Sequence, residues 1–454
     1  MPNVLFLPEL RELLAEGDDE NLREIMTEHH PAAVADFSEG LSAEETWALF
    51  DRAPLENQAK VFSFYPAAKQ DEMVRSGDRQ RLSHLLEIMP HDDRVDLLRR
   101  LPESTVDQLL PLIDKADRED MRRLLSYPEH SAGSIMTTDF ATLPADITIS
   151  EALTRIRQQA ATRETVYYIY VVDAHRHLIG FVSLRDLILA KPTAQLREMM
   201  TTDVVSVRVD DDQEKVARLM SRYDFLAVPV VDSENHLVGI VTHDDILDVL
   251  TEEATEDALR QGAVGPLTEP YLDVDFYRAW RTRAIWLSCL FIAELFTFTA
   301  LASFENAIAQ VVALSLFVPL CISTGGNSGS QAATLITRAL ALGEVTPRQW
   351  RRVLRHEFYL GIALGVTLGA IGFVRASLTP ASVLGNADRW TLALVIGQSV
   401  AAICLWGTLV GSMLPLVFRR LGFDPGYASS PFVATFVDVT GIVIYFSIAK
   451  LLLL

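Results

Sequence analysis

Asp438 is a carboxylic acid inside the apolar segment that runs from residue 431 to residue 454. A helix of about 20 residues spans a bilayer, so this segment is long enough to cross a membrane. A charge at that depth costs at least about 2.5 kcal/mol and usually faces a bundle interior or an aqueous path. Asp438 is therefore predicted to bind a cation in a pore. The alternative is a structural aspartate that pairs with an arginine or caps a broken helix.

A second apolar segment contains a stretch of glycines and small polar residues at 323–331, which includes Asn327. Irregular backbone at membrane depth is tolerated only where it is buried in protein or lines a watery cavity. We therefore expect a broken helix here. Its carbonyl groups and its side-chain oxygens, including the amide oxygen of Asn327, would suit a hydrated cation. A phosphate-binding loop is the competing interpretation, but no lysine follows the glycines and no strand precedes them.

An acidic run at residues 244–260 lies between the soluble and the apolar parts of the chain. On a helix its acids fall on two neighbouring faces, Asp245, Asp248 and Glu252 on one and Glu253, Glu256 and Asp257 on the next. Like charges at these spacings repel each other, and hard divalent cations bind carboxylate oxygens and water. The run is predicted to bind cations. A solvated acidic surface is the alternative.

The charge of the chain is distributed unevenly along its 454 residues. The net charge is −20, but residues 281–454 hold 12 basic and 7 acidic residues, so residues 1–280 hold 28 basic and 53 acidic ones. Such an acidic soluble part argues against nucleic acid as a partner and suits a role in attracting cations, although a merely soluble acidic surface would look the same. No signal peptide is recognisable, and we expect this part to stay in the cytosol.

Residues 1–128 are predicted to form an all-α, superhelical N domain. Apolar positions recur at helical spacing, and proline or glycine interrupts the pattern about every dozen residues. Short helices joined by tight turns pack as an array without a sheet. Residues 90–96 place several carboxylates on one helical turn, and helix capping explains them more simply than a ligand role.

Residues 132–250 contain an internal repeat of about 60 residues. Each copy has an amphipathic helix, an apolar strand, a polar turn and a second strand, which predicts a tandem α/β module. This pattern resembles a pair of CBS domains. Such pairs commonly bind adenine nucleotides, and the matching positions at the strand ends are Ser183, Asp186, Thr242 and Asp245. Ordinary capping of the following helices is the alternative interpretation.

The part after residue 279 is predicted to cross the membrane five times, at 283–302, 308–340, 357–375, 390–417 and 431–454. Basic residues cluster before the first span, between the second and third, and between the fourth and fifth. The positive-inside rule then puts the N-terminus in the cytoplasm and the C-terminus outside. Glu294 is a further intramembrane acid without an assigned role, and Glu357 is expected to pair with a nearby arginine.

The chain as a whole resembles the MgtE family of magnesium channels. The resemblance rests on the domain order and on three motifs: Glu-Glu-Ala-Thr-Glu-Asp at 252–257, Thr-Gly-Gly-Asn-x-Gly-x-Gln at 324–331 and Val-Ala-Thr-x-x-Asp-Val-Thr-Gly at 433–441. It implies a homodimer in a bacterial plasma (inner) membrane, with the second and fifth spans lining the pore and Asp438 and Ala434 at the Mg²⁺ site. One departure is Ser330, where the family often has a second asparagine.

The resemblance also implies a cytosolic Mg²⁺ sensor. Its positions here are Asp93, Asp96, Glu214, Asp224, Asp245, Asp248, Glu253, Glu256 and Asp257. The predicted divisions are an N domain at 1–128, a CBS pair at 132–250, a connecting (plug) helix at 251–278 and a pore domain at 279–454. The expected function is Mg²⁺ uptake gated by cytosolic Mg²⁺, with ATP as a candidate second ligand.

Two other functions compete with a channel. One is a proton-driven secondary transporter of another divalent cation, with Glu294 and Asp438 carrying the protons. The other is a membrane enzyme, which we do not expect because the apolar part lacks paired carboxylates at catalytic spacing, a histidine cluster, and a nucleophile with its base.

Overall fold

The computed structural model describes residues 6–160, 163–265, 271–272, 274–384 and 387–453. The chain divides into two compact units, Met1–Glu252 and Glu253–Leu454. The predicted connecting segment 251–278 contains residues 266–270 and 273, which lie outside the described part.

The first unit begins with helices only. Their bounds are α1 Leu7–Glu16, α2 Asp19–Glu28, α3 Pro31–Ser38, α4 Ala43–Phe50, α5 Leu55–Ser63, α6 Ala67–Ser76, α7 Arg79–Ile88, α8 His91–Arg100, α9 Glu103–Leu109 and α10 Lys115–Leu125. A proline immediately precedes α5, α6, α8 and α9. Proline fixes φ and has no N–H to leave unpaired, so it starts a helix and separates it from the one before. The all-α prediction is confirmed for the described residues of this segment.

These helices pack mainly on the helix two places along the chain. Thus α3 contacts α5, α4 contacts α6, α5 contacts α7, and α8 contacts α10. A continuous core of buried Leu, Met, Phe and Trp side chains runs through them. The array holds α8 by its apolar face and leaves the acids of its first turn free to face another element.

The repeated module forms two α/β copies, each with one small three-stranded sheet, as predicted. The first contains β1 Phe140–Pro144, α11 Ile149–Gln159, β2 Thr165–Val172, β3 Leu178–Ser183 and α12 Leu184–Leu189. The second contains α13 Leu196–Met199, β4 Val207–Arg208, α14 Gln213–Tyr223, β5 Ala227–Val231, β6 Leu237–Thr242 and α15 His243–Gln261. In each sheet the first two strands are parallel and the last two antiparallel. The copies also exchange their leading segments, because Thr137 pairs with Ile240 and Thr201 with Phe181.

The second unit consists of helices among its described residues. They are α16 Phe276–Ala302, α17 Glu305–Gln310, α18 Ala313–Ala341, α19 Trp350–Ser377, α20 Ala381–Leu384, α21 Arg389–Arg420 and α22 Ser430–Leu452. Four segments of the described chain are long and apolar enough to cross a membrane: Phe276–Ala302, Pro347–Ser377, Arg389–Arg420 and Ser430–Leu452. α18 packs against both α21 and α22, and α16 packs against α22.

The predicted irregular backbone in the glycine-rich stretch is wrong. Residues 323–331 lie within the continuous helix α18, and the interruption falls earlier, between α17 and α18. The glycines instead allow close helix packing. A Cβ at Gly325 would lie 2.5 Å from Cγ2 of Ile403 and 2.7 Å from Cγ1 of Val437, and one at Gly329 would lie 2.9 Å from Cγ1 of Val433.

Candidate functional site

Asp438 lies in the first half of α22, where it faces the glycine stretch of α18. The hydroxyl of Ser429 accepts a hydrogen bond from the Phe432 N–H and so caps the start of α22. A Cβ at Gly326 would lie 3.2 Å from Oδ1 of Asp438 and 3.4 Å from Cβ of Ala434. The missing side chain at Gly326 thus lets α18 approach the carboxylate and Ala434 together.

The Oδ1 atom of Asp438 is buried and has no hydrogen-bond partner among the described residues. Among the described residues no arginine pairs with Asp438, and Asp438 caps no helix end there. Both structural alternatives are therefore without support. An unpartnered carboxylate oxygen at membrane depth can bind a cation or the water of a hydrated cation.

The other two residues predicted for the pore lie nearby. Ala434 is one helical turn before Asp438, and Asn327 follows Gly326 directly. The amide of Asn327 is exposed and donates to Oγ of Ser323 at 3.3 Å. Ser330 donates to the carbonyl oxygen of Ser430 at 3.1 Å, so this hydroxyl ties α18 to the start of α22.

The predicted salt bridge of Glu357 is wrong. This residue is buried in α19, with 6% of its surface exposed. Among the described residues no arginine lies within ion-pair distance of it, and the arginines near the start of α19 are exposed.

Acids of α8 and of the first part of α15 lie against each other in the first unit. α8 contributes Asp92, Asp93 and Asp96, and α15 contributes Asp244, Asp245, Asp248 and Glu252. We call these seven residues the α8–α15 acidic cluster. The carboxyl groups of Asp92 and Asp245 lie close enough to share a hydrogen bond. This is the part of the predicted sensor that the fold brings together.

Burial and mutual repulsion make these acids hard to ionise. Burial, then the charge of Asp92, raises the pKa of Asp93 to about 6. Burial also raises the pKa of Asp96 to about 6, although Arg99 and Arg100 oppose the rise. The pKa of Asp245 is raised to about 6, again chiefly by burial. A cation that neutralised the cluster would remove this cost.

The donor chemistry of the cluster fits Mg²⁺, which takes carboxylate oxygens and keeps several of its waters. Within the described ranges no three His, Cys, Asp or Glu side chains are close enough together to hold a metal directly. A hydrated ion needs only one or two carboxylates, with water completing its shell. The cluster therefore fits an ion held largely through water.

Two predicted sensor residues make no contact with this cluster among the described residues. Glu214 forms an ion pair with Arg218 on the same helix. Asp224 ends α14 in the left-handed region, with φ 53°. Neither has a recorded contact with α8 or α15 among the described residues, and sequence spacing alone could not reveal this.

The remaining predicted sensor residues, Glu253, Glu256 and Asp257, belong to the second unit. There Glu256 forms an ion pair with Arg260, and Arg260 also pairs with Asp424 in the loop before α22. One helix, α15, thus carries acids of the cluster near its start and a basic contact to the α21–α22 loop near its end.

Sequence reasoning missed Glu164, whose pKa burial raises to about 7, with further contributions from Asp92 and Asp244. It precedes β2 and carries no local signal, because only the fold brings it to the cluster. Asp92 and Asp244 stand within the acidic stretches of the sequence, but helical spacing alone does not show which members of such a stretch face inward.

At the predicted nucleotide positions, side chains cap helices. Ser183 donates to Oδ2 of Asp186 at 2.6 Å and accepts from its N–H at 3.1 Å. Thr242 donates to Oδ2 of Asp245 at 2.6 Å. Asp186 is exposed, whereas Asp245 also contacts Asp92. Capping accounts for these contacts, and only Asp186 offers an exposed carboxylate for a ribose.

Comparison with known families gives matches along most of the chain. The model of the MgtE family, described as a divalent cation transporter, matches residues 318–448. The model of the MgtE intracellular N domain matches residues 29–130, and that of the CBS domain matches 132–192 and 196–252.

Among curated proteins, the chain is similar to the magnesium transporter MgtE of Thermus thermophilus, with 41% identity over 450 residues that cover 98% of each chain. It is 31% identical to the magnesium transporter MgtE of Bacillus subtilis over 449 residues, which cover 96% of this chain and 95% of that one.

Two solved structures resemble about half of this chain. One is the soluble part of a magnesium transporter, with 34% identity, a TM-score of 0.53 and coverage of 55% of this chain and 98% of that chain. The other is the cytosolic domain of the Mg²⁺ channel MgtE in complex with ATP, with 40% identity, a TM-score of 0.50 and coverage of 53% and 98%.

Proposed function

Because this chain belongs to the MgtE family of divalent cation transporters, we propose that it is a channel for Mg²⁺ uptake that shuts when cytosolic Mg²⁺ is high. The observation that carries the proposal is the buried, unpartnered oxygen of Asp438 beside Gly326, among apolar helices. Such an oxygen attracts a cation and can bind its water shell, which Mg²⁺ gives up reluctantly.

The pore in this proposal is lined by Asp438 and Ala434 on α22 and by Asn327 on α18. Their small or polar side chains leave room for an ion with its water. A homodimer would bring a second α18 and α22 to the same path, so that two copies of Asp438 face one hydrated ion. The interaction of a divalent ion with two carboxylates offsets the cost of keeping each charge at membrane depth.

We propose that α18 is a fifth membrane span in addition to the four apolar segments. It is as long as its neighbours and packs between α21 and α22. Its lower hydropathy comes from the glycines and small polar residues at 323–331, which the path requires. The stacked helices of the N domain are proposed to form a superhelical array.

The proposed location is the bacterial plasma (inner) membrane, with the N-terminus in the cytoplasm and the C-terminus outside. Arginines in the first turns of α16, at the start of α19 and at the end of α21 support this orientation. We also propose the divisions 1–128, 132–250, 251–278 and 279–454 for the N domain, CBS pair, connecting helix and pore domain.

Gating is proposed to act through the α8–α15 acidic cluster. When cytosolic Mg²⁺ is high, hydrated ions bridge Asp93 and Asp96 to Asp245 and Asp248, and the packed arrangement holds the pore shut. When Mg²⁺ is low, repulsion separates the helices. Two carboxylates about 4 Å apart repel by about 1 to 4 kcal/mol, and a switch from 1:99 to 99:1 needs about 5.5 kcal/mol, so a few such pairs suffice.

The resemblance assigns Glu214, Asp224, Glu253, Glu256 and Asp257 to the same sensor, and we retain them as proposed positions. Glu214 and Glu256 are each paired with an arginine. An ion that binds either carboxylate would therefore have to compete with, or share, that partner.

ATP is proposed as a second ligand of the CBS pair, with Ser183, Asp186 and Thr242 at its site. The exposed carboxylate of Asp186 suits a ribose diol, and the start of α12 suits a phosphate. The related channel domain that was solved with ATP supports this assignment.

The test is Mg²⁺ uptake into liposomes that contain the full chain, with low Mg²⁺ on the sensor side. We expect uptake driven by the Mg²⁺ gradient alone, and its loss in Asp438→Asn. Normal uptake in that variant would overturn the pore assignment. Uptake that requires a proton gradient would replace the channel by a secondary transporter.

A further inference from the structure

Glu294 is a membrane acid to which the proposed function gives no role. It lies in the second half of α16, a helix of 27 residues that is otherwise without charge after Arg283. Large apolar side chains around it, such as Phe291, Leu295 and Phe298, are exposed on the outer faces of the helix. A carboxylate at such a place has a high cost unless it meets a polar environment.

Glu294 belongs to the one half-buried stripe of α16. Leu290, Ala293, Glu294, Thr297 and Leu301 are each partly covered, at the i, i+3, i+4 and i+7 spacing of one helix face. α16 packs against α22, which carries Asp438. The carboxylate therefore turns toward the helix bundle and away from the lipid-facing side.

The contacts of Glu294 leave its charge uncompensated. Its Oε1 accepts a hydrogen bond from Oγ1 of Thr297 at 3.1 Å. No basic side chain within the described ranges forms an ion pair with it, and its charge acts electrostatically on Asp438. Among the described residues the Oδ1 atom of Asp438 is also without a partner, which is a second, independent observation that points to a cation near Asp438 and Glu294.

We propose that Glu294 sets the affinity of the pore for a hydrated divalent cation by adding a second negative charge beside Asp438. The inference rests on the proposed channel function. Asp438 binds the ion's water shell, while Glu294 acts from the neighbouring helix through the field and holds no water of the ion directly. A divalent ion gains twice as much as a monovalent one from this charge.

The test compares Glu294→Gln, Glu294→Asp and the wild type in the same liposome assay, with the external Mg²⁺ concentration varied. We expect Glu294→Gln to raise the half-saturating Mg²⁺ concentration about tenfold, as a nearby charge can at effective dielectrics of about 20 to 80. Glu294→Asp keeps the charge and should restore the wild-type value. High ionic strength should reduce the difference in half-saturating Mg²⁺ concentration between Glu294→Gln and the wild type.

Glu357→Gln is the matched control, because it removes an acid, here a buried one, from a different helix of the same unit. It should leave the half-saturating concentration unchanged. An unchanged concentration dependence in Glu294→Gln, or a lower maximal flux without a shift in it, would overturn the inference. Absence of Mg²⁺ uptake in the wild type would instead overturn the proposed function, so the two failures are distinguishable.

Discussion

The carboxyl groups of Asp92 on α8 and Asp245 on α15 lie close enough to share a hydrogen bond. Such a bond needs a proton on one of the two groups. Burial, followed by the charge of Asp245, raises the pKa of Asp92 well above its usual range, so Asp92 is the group that keeps the proton. The packing of α8 against α15 therefore needs either protons or a cation that takes their place.

This relationship predicts that packing of α8 on α15 weakens as the pH rises. The pKa values of Asp93, Asp96 and Asp245 are about 6 in the folded state against 3.8 for a free aspartate, and that of Glu164 is about 7 against 4.5. Because the folded values are raised, the stabilisation is fully present below about pH 4 and is lost as the pH rises through 6 and 7.

Hydrogen exchange of the α8 amides in the full chain, corrected for intrinsic rates, measures this effect. Without Mg²⁺ we expect more protection at pH 5.5 than at pH 8, and Mg²⁺ at pH 8 should restore it. Equal protection at both pH values in the absence of Mg²⁺ would contradict the prediction.

Replacement of one cluster acid by its neutral amide should have the effect of a bound proton. Asp93→Asn removes a charge from the cluster and keeps the side-chain shape. We expect it to stabilise the packed arrangement at pH 8 without Mg²⁺ by about 1 to 3 kcal/mol, since one pKa unit corresponds to about 1.4 kcal/mol. Higher α8 protection factors would show this.

Asp107→Asn is the control for Asp93→Asn, because Asp107 is an exposed acid on the adjacent helix α9. It should leave α8 protection unchanged. A loss of protection in Asp93→Asn would mean that this carboxylate makes a favourable contact that the amide cannot replace.

Much of this architecture follows from local sequence, but the contacts between distant segments do not. The repeat predicted the paired sheets, and the acidic run predicted the helix that carries Asp245. The helical state of Gly325 could not be predicted, because it depends on Ile403 and Val437, which are distant in sequence. Glu164 joins the cluster for the same reason: only the fold brings it near Asp92.

The pair formed by Arg260 and Asp424 is predicted to couple the sensor helix to the pore helix. Arg260 also pairs with Glu256 on α15, while Asp424 lies six residues before the start of α22. We expect Arg260→Met to leave Mg²⁺ uptake intact at low sensor-side Mg²⁺ and to weaken shut-off at high Mg²⁺. The ratio of the Mg²⁺ flux at low sensor-side Mg²⁺ to the flux at high sensor-side Mg²⁺ measures the shut-off.

A charge exchange tests whether the pair itself carries the coupling. Arg260→Asp combined with Asp424→Arg should recover part of the shut-off that each single variant loses, because attraction between the positions is restored. Normal shut-off in Arg260→Met would show that the ion pair has no part in gating.

Gly326→Ala tests the approach of α18 to Asp438 in the pore. The added Cβ would lie 3.2 Å from Oδ1 of Asp438 and 3.4 Å from Cβ of Ala434, so it would cover the oxygen proposed to hold the ion. Alanine favours a helix over glycine by about 1 kcal/mol, so the fold should not suffer. We expect Mg²⁺ flux in liposomes to fall about tenfold, the effect of about 1.4 kcal/mol in ion binding.

Gly372→Ala in α19 is the matched control. Its Cβ would meet Cγ2 of Val400 at 3.4 Å and Cγ2 of Ile396 at 3.6 Å, which are ordinary packing distances. It introduces the same methyl group into the same helical unit without approaching Asp438, so flux should stay close to that of the wild type. Equal losses in both variants would assign the effect of Gly326→Ala to general packing, whereas full flux in Gly326→Ala would show that ions do not pass along this face of Asp438.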